Sequence, residues 1–379
     1  MTLLFYDDRP VFGGHEAMTL LGLEALLAEP GLKVHFIACE ENTTLIRRLG
    51  ELAARFPGLT VEETDERATR FEAIRHFFFR GRIADLSATI RRLEPDALVS
   101  VQGGIEPSSL GMLAARKCGV RAISYLAMPH SYQTMGARLG RLLDWGAPTL
   151  IERPDAFVTS CDALATHLRE RGAKGPVEVV FPGIDTERFV PADRDACRRD
   201  LDLPVGVPLF ACVGRVELHQ KQQDRLVRAI ARPMLSECHL VIAGEGPDTE
   251  VLDRLIESRK LGDRVRRIPW ADTAKLYPAA DAVVIPSRYE GVPLVMLEAL
   301  ACGTPVLGAD RDGMHDILPD DFHIDANSSA AVAAALRDFL DHGKPRPPEE
   351  LCNRVRHGMG IADFQRAFRR TLLDLVEPS

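Results

Sequence analysis

Short apolar runs separated by helix-length segments constrain this chain more than any other feature of its sequence. Leu3 to Tyr6, Val34 to Ala38, Thr60 to Glu62, Ala97 to Val101, Ala122 to Leu126, Ala156 to Ser160 and Glu178 to Phe181 read as strands, and stretches such as the amphipathic Glu16 to Leu27 stand between them. Alternation of this kind is the pattern of a mainly parallel sheet covered by helices on both faces. Past Pro182-Gly183 the chain becomes turn-rich through Pro191 and Pro204 to Pro208. The alternation then restarts with Leu209 to Val213, His239 to Ala243, Val265 to Ile268, Ala282 to Ile285 and Pro305 to Leu307. The expected fold class is α/β, two doubly wound Rossmann-like domains with their strand carboxyl ends facing each other across a cleft. The first domain is expected over 1–183 and the second over 184–361. In the closing segment, Phe364, Phe368, Leu372 and Leu375 recur at helical spacing, so a helix in 362–379 is expected to cross back to the first domain.

Length and charge narrow the function. A chain of 379 residues exceeds what one core usually organises. Its net charge of -8 excludes a nucleic-acid binder that works by bulk electrostatics, which needs clustered cations. Eight cysteines fall without any C-x2-C pair, as reduced thiols of a cytosolic protein do. The start becomes acidic at Asp7-Asp8, and no apolar run approaches the ~20 residues of a membrane span. A cytoplasmic protein is expected, with neither a secretion signal nor a spanning helix.

The densest chemical signal is Ser287-Arg-Tyr-Glu290-Gly-Val-Pro293-Leu-Val-Met-Leu-Glu298-Ala-Leu-Ala-Cys-Gly303-Thr-Pro305, directly after a strand. Pro293 suits a first helical turn, where its missing N–H costs nothing. The N–H groups around Leu294 and Val295 can then face phosphate or sugar oxygens. Glu298, one turn further in, is placed to accept paired hydrogen bonds from a diol such as ribose. The plainer alternative is that Glu290 and Glu298 only complement the helix dipole.

Two glutamates eight apart, followed by Ala and a Gly-x-Pro-Val turn, resemble the signature of the family 4 retaining glycosyltransferases of the GT-B type. Gly214-Arg215 with Lys221 and Asp224, Ala243-Gly-Glu-Gly-Pro247, Pro182-Gly-Ile-Asp185-Thr-Glu-Arg-Phe189 and Gly13-Gly14 match further blocks of that family in the same order. The resemblance implies a hexosyl-type transfer from a nucleoside-diphosphate sugar. The acceptor would be a hydroxyl on a glycan, a lipid-linked molecule or a small molecule, as in polysaccharide biosynthesis. It further implies a metal-independent, front-face displacement with no cofactor beyond the sugar nucleotide; a UDP-sugar is expected ahead of a GDP-sugar. The second domain would bind the donor and the first the acceptor.

The residue roles follow from the same resemblance. Arg215 and Lys221 would neutralise the diphosphate, Glu298 would bind the ribose, and Glu290 with the amides of Leu294 and Val295 would hold the donor sugar. Gly14 would let backbone approach the phosphates, and His130 would lie near the donor sugar. Each has a structural alternative: surface cations, a turn glycine, a core histidine. Glu106, in Gly103-Gly-Ile-Glu106, and Tyr132, beside Ser131, are expected in acceptor loops, which vary freely on a rigid scaffold. Gln222 stands where the family usually has glycine, and Trp270 is a possible neighbour of the base. A sugar-nucleotide epimerase of the same fold and a non-catalytic donor-binding subunit remain as alternatives. A dinucleotide oxidoreductase is disfavoured because no G-x-G-x-x-G follows the first strand of either domain.

One segment falls outside that scheme. Between Arg67 and Arg82 five arginines, among them Arg70, Arg75 and Arg80, stand with Phe71, Phe77, Phe78 and Phe79. This is the composition of a stretch lying on the inner face of an anionic membrane, although consecutive phenylalanines cannot share one helix face and some could be core.

Overall fold

The computed structural model describes residues 1–68, 71, 72, 75 and 80–377. The chain divides into two compact units, Met1–Gly183 with Ala362–Ser379, and Ile184–Ile361. In the first, the described residues form a seven-stranded sheet: β1 (Thr2–Asp7), β2 (Lys33–Cys39), β3 (Leu59–Thr64), β4 (Ala97–Gln102), β5 (Arg121–Leu126), β6 (Ala156–Thr159) and β7 (Val177–Val179). The order is β3-β2-β1-β4-β5-β6-β7, with parallel pairing throughout. Strands buried on both faces carry continuous apolar runs, and every residue of β4 is buried.

The second unit repeats the plan with β8 (Leu209–Val213), β9 (His239–Ala243), β10 (Val265–Ile268), β11 (Ala282–Ile285), β12 (Val306–Ala309) and β13 (His323–Ile324). Their order is β10-β9-β8-β11-β12-β13. The entry ends of the central strands β8 and β11 are pinned by Asp281, 1% exposed at its side chain and paired with Arg194 (2.7 Å), Arg198 (3.1 Å) and Lys344 (3.0 Å). It also accepts the Leu209 N–H at 2.8 Å. Burial alone would raise the Asp281 pKa; the Leu209 N–H and the cations outweigh it and hold it below the usual value.

The last helix, Ile361–Val376, buries Phe364, Phe368, Leu372 and Leu375. Phe368 lies directly on the backbone of helix Gly14–Leu27, where a Cβ on Gly22 would come within 2.4 Å of its ring. Gln365 donates to the Leu21 carbonyl at 3.0 Å and Phe368 meets Tyr125 edge-on at 5.2 Å. Any side chain at position 22 would displace the Phe368 ring from this seat. No described helix is long and apolar enough to cross a membrane. All eight cysteines are free thiols, seven of them buried.

Candidate functional site

In each sheet the strand order reverses beside the first strand, between β1 and β4 and between β8 and β11, with all strands still parallel. Loops leaving the carboxyl ends there splay apart and leave room for a ligand. The second unit's loops at this point are tied together: Arg288 N–H donates to the Gln220 carbonyl (2.7 Å) and Gln220 Nε2 to the Tyr289 carbonyl (3.3 Å). Lys221 Nζ lies 2.6 Å from Glu290 Oε1, in a pair whose side chains are 24% and 6% exposed. The two residues assigned to diphosphate and sugar are therefore direct neighbours. A small cavity beside them is lined by Lys221, Ser287, Pro293 and Val295.

Local geometry explains the sequence around this pair. Gly244, at φ +134°, lies so close to the β8 turn that a Cβ there would meet the Gly214 carbonyl oxygen at 2.2 Å, which only glycine allows. Gln222 has φ +55° and is buried, so the departure from the family's glycine sits in the left-handed region, where a Cβ costs roughly 1–2 kcal/mol. Pro293 is the N-cap of helix Leu294–Ala301, with ψ 117°. It stands just outside the first turn in which the sequence places it, because its own carbonyl accepts the first helical N–H, from Met296 at 3.0 Å. Leu294 and Val295 are the two residues at the helix start, as the motif requires.

Two residues that the motifs do not single out support the acids. Asp312 Oδ2 accepts the Glu290 N–H at 2.8 Å, fixing the loop that carries Glu290. Its signal is the Asp-Gly that follows β12, a left-handed turn with Asp312 at φ +53°. Tyr277 donates its hydroxyl to Glu298 Oε2 at 2.5 Å. Burial raises the Glu298 pKa, with the Tyr277 bond and the Arg188 charge opposing. Arg215 is exposed and paired with Glu217 at 2.5 Å. Trp270 is 80% exposed, on the surface of the second unit.

The first unit's reversal point is acidic and buried. Asp7, Asp8 and Glu16 are at most 2% exposed. Asp8 joins the two loops, accepting the Ser108 N–H at 2.7 Å. Burial, opposed by that bond, pushes its pKa up to about 7. Asp7 is raised by burial and by the Glu16 charge, whereas Glu16 is lowered, its burial outweighed by His15 at 2.9 Å and by Arg9. Asp7, His15 and Glu16 bring ligand-type atoms within 4.8 Å of one another, although none of the motifs points to a metal group there.

Gly14 opens the adjacent helix, and a Cβ on it would meet open space. His130 is 7% exposed, its ring 6.0 Å from that of His167. Glu106 is buried at 8% exposure. Tyr132 departs from the expected acceptor surface: its ring belongs to the core with Leu143, Leu150 and Ile151. The Tyr132 and Gln133 N–H groups anchor on Asp144 (2.8 and 3.1 Å), which turns the ring inward. Burial, with the Glu106 charge adding to it, raises its phenol pKa.

Two doubly wound sheets, the second with an ion pair and a helix start at its reversal point, are the GT-B architecture. Two family models take in most of the chain, "Glycosyl transferase 4-like domain" over residues 13–183 and "Glycosyl transferases group 1" over 193–356. The chain belongs to the family 4 GT-B glycosyltransferases. A D-inositol 3-phosphate glycosyltransferase of Salinispora tropica is 37% identical over 220 residues, 52% of this chain and 45% of that protein. One from Streptosporangium roseum is 29% identical over 347 residues, 83% and 77% of the two chains. In the first case, and in that of Actinosynnema mirum at 53%, the match spans about half of the relative's length. Among solved structures, HepE of Anabaena in complex with UDP-glucose gives a TM-score of 0.76 at 17% identity, covering 99% and 100% of the two chains. The lipopolysaccharide outer core galactosyltransferase WaaB gives 0.72 at 15%, covering 99% of each.

Proposed function

We propose that the chain transfers a hexosyl group, with retention of anomeric configuration, from a nucleoside-diphosphate sugar to a hydroxyl acceptor. The observation that carries this is the reversal point of the second sheet. There Lys221, Glu290 and the start of helix Leu294–Ala301 converge, with Glu298 one turn further in. The diphosphate takes Lys221 and Arg215, a point charge and a planar fork. Glu298, oriented by Tyr277, accepts the ribose hydroxyls, and Glu290 holds the sugar. A UDP donor is favoured because the HepE structure holds UDP-glucose at this fold.

In the front-face displacement the acceptor oxygen bonds to the anomeric carbon as the bond from that carbon to the β-phosphate oxygen breaks. The departing phosphate oxygen takes the acceptor proton. Negative charge grows on the diphosphate, which the cations and the helix start stabilise in place. Gly14, His130 and Glu106 fall on the acceptor unit under this reading, and the acceptor is a glycan, lipid-linked or small-molecule hydroxyl. A thermal-shift panel of nucleotides and sugar nucleotides tests the donor site, since a ligand at 100 times its Kd stabilises by about 2.7 kcal/mol. No shift with any nucleoside diphosphate refutes it. Proton NMR of the first-formed glycoside tests the stereochemistry, and an inverted product removes the front-face step.

A further inference from the structure

Among the described residues, the three most exposed large apolar side chains of the first unit other than Val11 gather around one short helix. Leu139 (64% exposed), Leu142 (52%) and Trp145 (82%) fall at the N-cap of, or inside, helix Gly140–Gly146. The helix is held inward by its buried Gly140, Leu143 and Gly146, and Leu143 belongs to the unit's core. At about 100° per residue, Arg141, Leu142 and Trp145 share the opposite face. Arg138 and Arg141 are exposed and make no ion pair or hydrogen bond among the described residues. Asp144, the acid of this helix, is engaged by the Tyr132 and Gln133 N–H groups and by Arg171 at 3.3 Å. A tryptophan and two leucines beside two uncompensated cations thus form an amphipathic face on a chain of net charge -8.

The arginine-rich segment 67–82 is a poorer candidate for the same task. Arg67 is paired with Glu41 at 3.1 Å, and Arg82 with Glu66 at 2.6 Å and Glu72 at 3.1 Å. Arg70 and Phe77, Phe78 and Phe79 lie outside the described residues.

We propose that the face of helix Gly140–Gly146 docks the first unit on an anionic lipid surface. Leu139, Leu142 and Trp145 enter the interface, where tryptophan's apolar body and polar N–H are both satisfied. Arg138 and Arg141 meet lipid phosphates. Charge complementarity selects this occupant, because an acidic chain is repelled by an anionic bilayer everywhere except at such a patch. The inference does not depend on which donor or acceptor the enzyme uses.

The test is sedimentation of the full chain with vesicles of phosphatidylcholine alone and of phosphatidylcholine with phosphatidylglycerol. Binding to the anionic vesicles is expected, falling about thirtyfold in R138Q/R141Q at roughly fivefold per arginine, and lost in L142S/W145S with the thermal midpoint unchanged. In W270F, which leaves Trp145 as the single tryptophan, emission shifts to the blue on anionic vesicles. Binding to neither vesicle, or binding reduced by R67E/R75E and not by the helix variants, overturns the proposal. So does a concentration-dependent dimer that L142S/W145S dissolves, which would make a second copy the occupant.

Discussion

Replacing Glu290 by glutamine separates the two halves of the donor site, and the structure sets the size of the effect. Lys221 Nζ and Glu290 Oε1 are 2.6 Å apart, and the carboxylate is almost wholly buried. A nucleoside diphosphate that recruits Lys221 must compete with this carboxylate. A charge-assisted hydrogen bond is worth about 1.5–3 kcal/mol and a neutral one about 0.5–1.5. Glu290→Gln therefore weakens the competitor by about 1 kcal/mol, and UDP is expected to bind about fivefold more tightly. Transfer from the UDP-sugar falls, because the carboxylate that holds the sugar is gone. Lys221→Ala acts in the other direction, losing a contact of about 1.5–3 kcal/mol, roughly ten- to a hundredfold in affinity. Calorimetry with UDP at fixed ionic strength reads all three proteins. A loss of UDP affinity in Glu290→Gln, in parallel with Lys221→Ala, refutes the reasoning and makes Glu290 a nucleotide ligand.

Gln222→Gly removes the left-handed strain at φ +55° and is expected to gain about 1 kcal/mol in urea unfolding; a loss would mean that the buried Gln222 side chain packs for more than the strain costs. Asp8, at about 7 against an ordinary value near 4, binds its proton more tightly when folded. Its contribution is present below about pH 4 and is lost as pH rises through about 7, a change of order 4 kcal/mol. Asp8→Asn should flatten that fall, so that the variant gains on the parent between pH 5 and pH 8; an equal difference at both pH values refutes this. Asp281→Ala strands Arg194, Arg198 and Lys344 and is expected to cost about 3–5 kcal/mol. UDP affinity of the folded fraction should be unchanged, and calorimetry would expose a loss.

The strands were legible where apolar runs are long and cleanly bounded. Leu209–Val213, His239–Ala243, Val265–Ile268 and Ala282–Ile285 are β8 to β11 as their hydrophobic pattern reads. β13 has two residues, one of them a histidine, and pairing with β12 rather than propensity makes it a strand. β7 stops at Val179 although the apolar run continues to Phe181, because the chain is already turning into Pro182. The Glu290 and Glu298 helix was visible in its motif, yet the contact between Lys221 and Glu290 joins residues 69 apart. No spacing within either block contains that contact; the parallel pairing of β8 and β11 creates it. Tyr277 and Asp312 escaped for the same reason, since each acts through a partner on another element. Tyr132 misled in the opposite sense: an aromatic in a loop reads as exposed, and Asp144 twelve residues later turns it inward.

The two reversal points carry opposite electrostatic problems, and this difference bears on the proposed donor and acceptor sides. At the first, Asp7, Asp8 and Glu16 are buried together, with Arg9 and His15 beside them. An anionic diphosphate placed there would add charge to a site already paying to desolvate carboxylates, which is why Asp7 and Asp8 hold their protons more tightly. At the second, Lys221 and Arg215 stand by a helix start whose N–H groups add positive potential. Glu290 offsets Lys221 until a ligand arrives, so the lysine is kept ordered at a modest cost in affinity. Charge thus supports the proposed placement of the diphosphate on the second sheet, beside the motif. A neutral hydroxyl suits the first, where a carboxyl with a pKa near 7 can accept or donate a hydrogen bond at physiological pH.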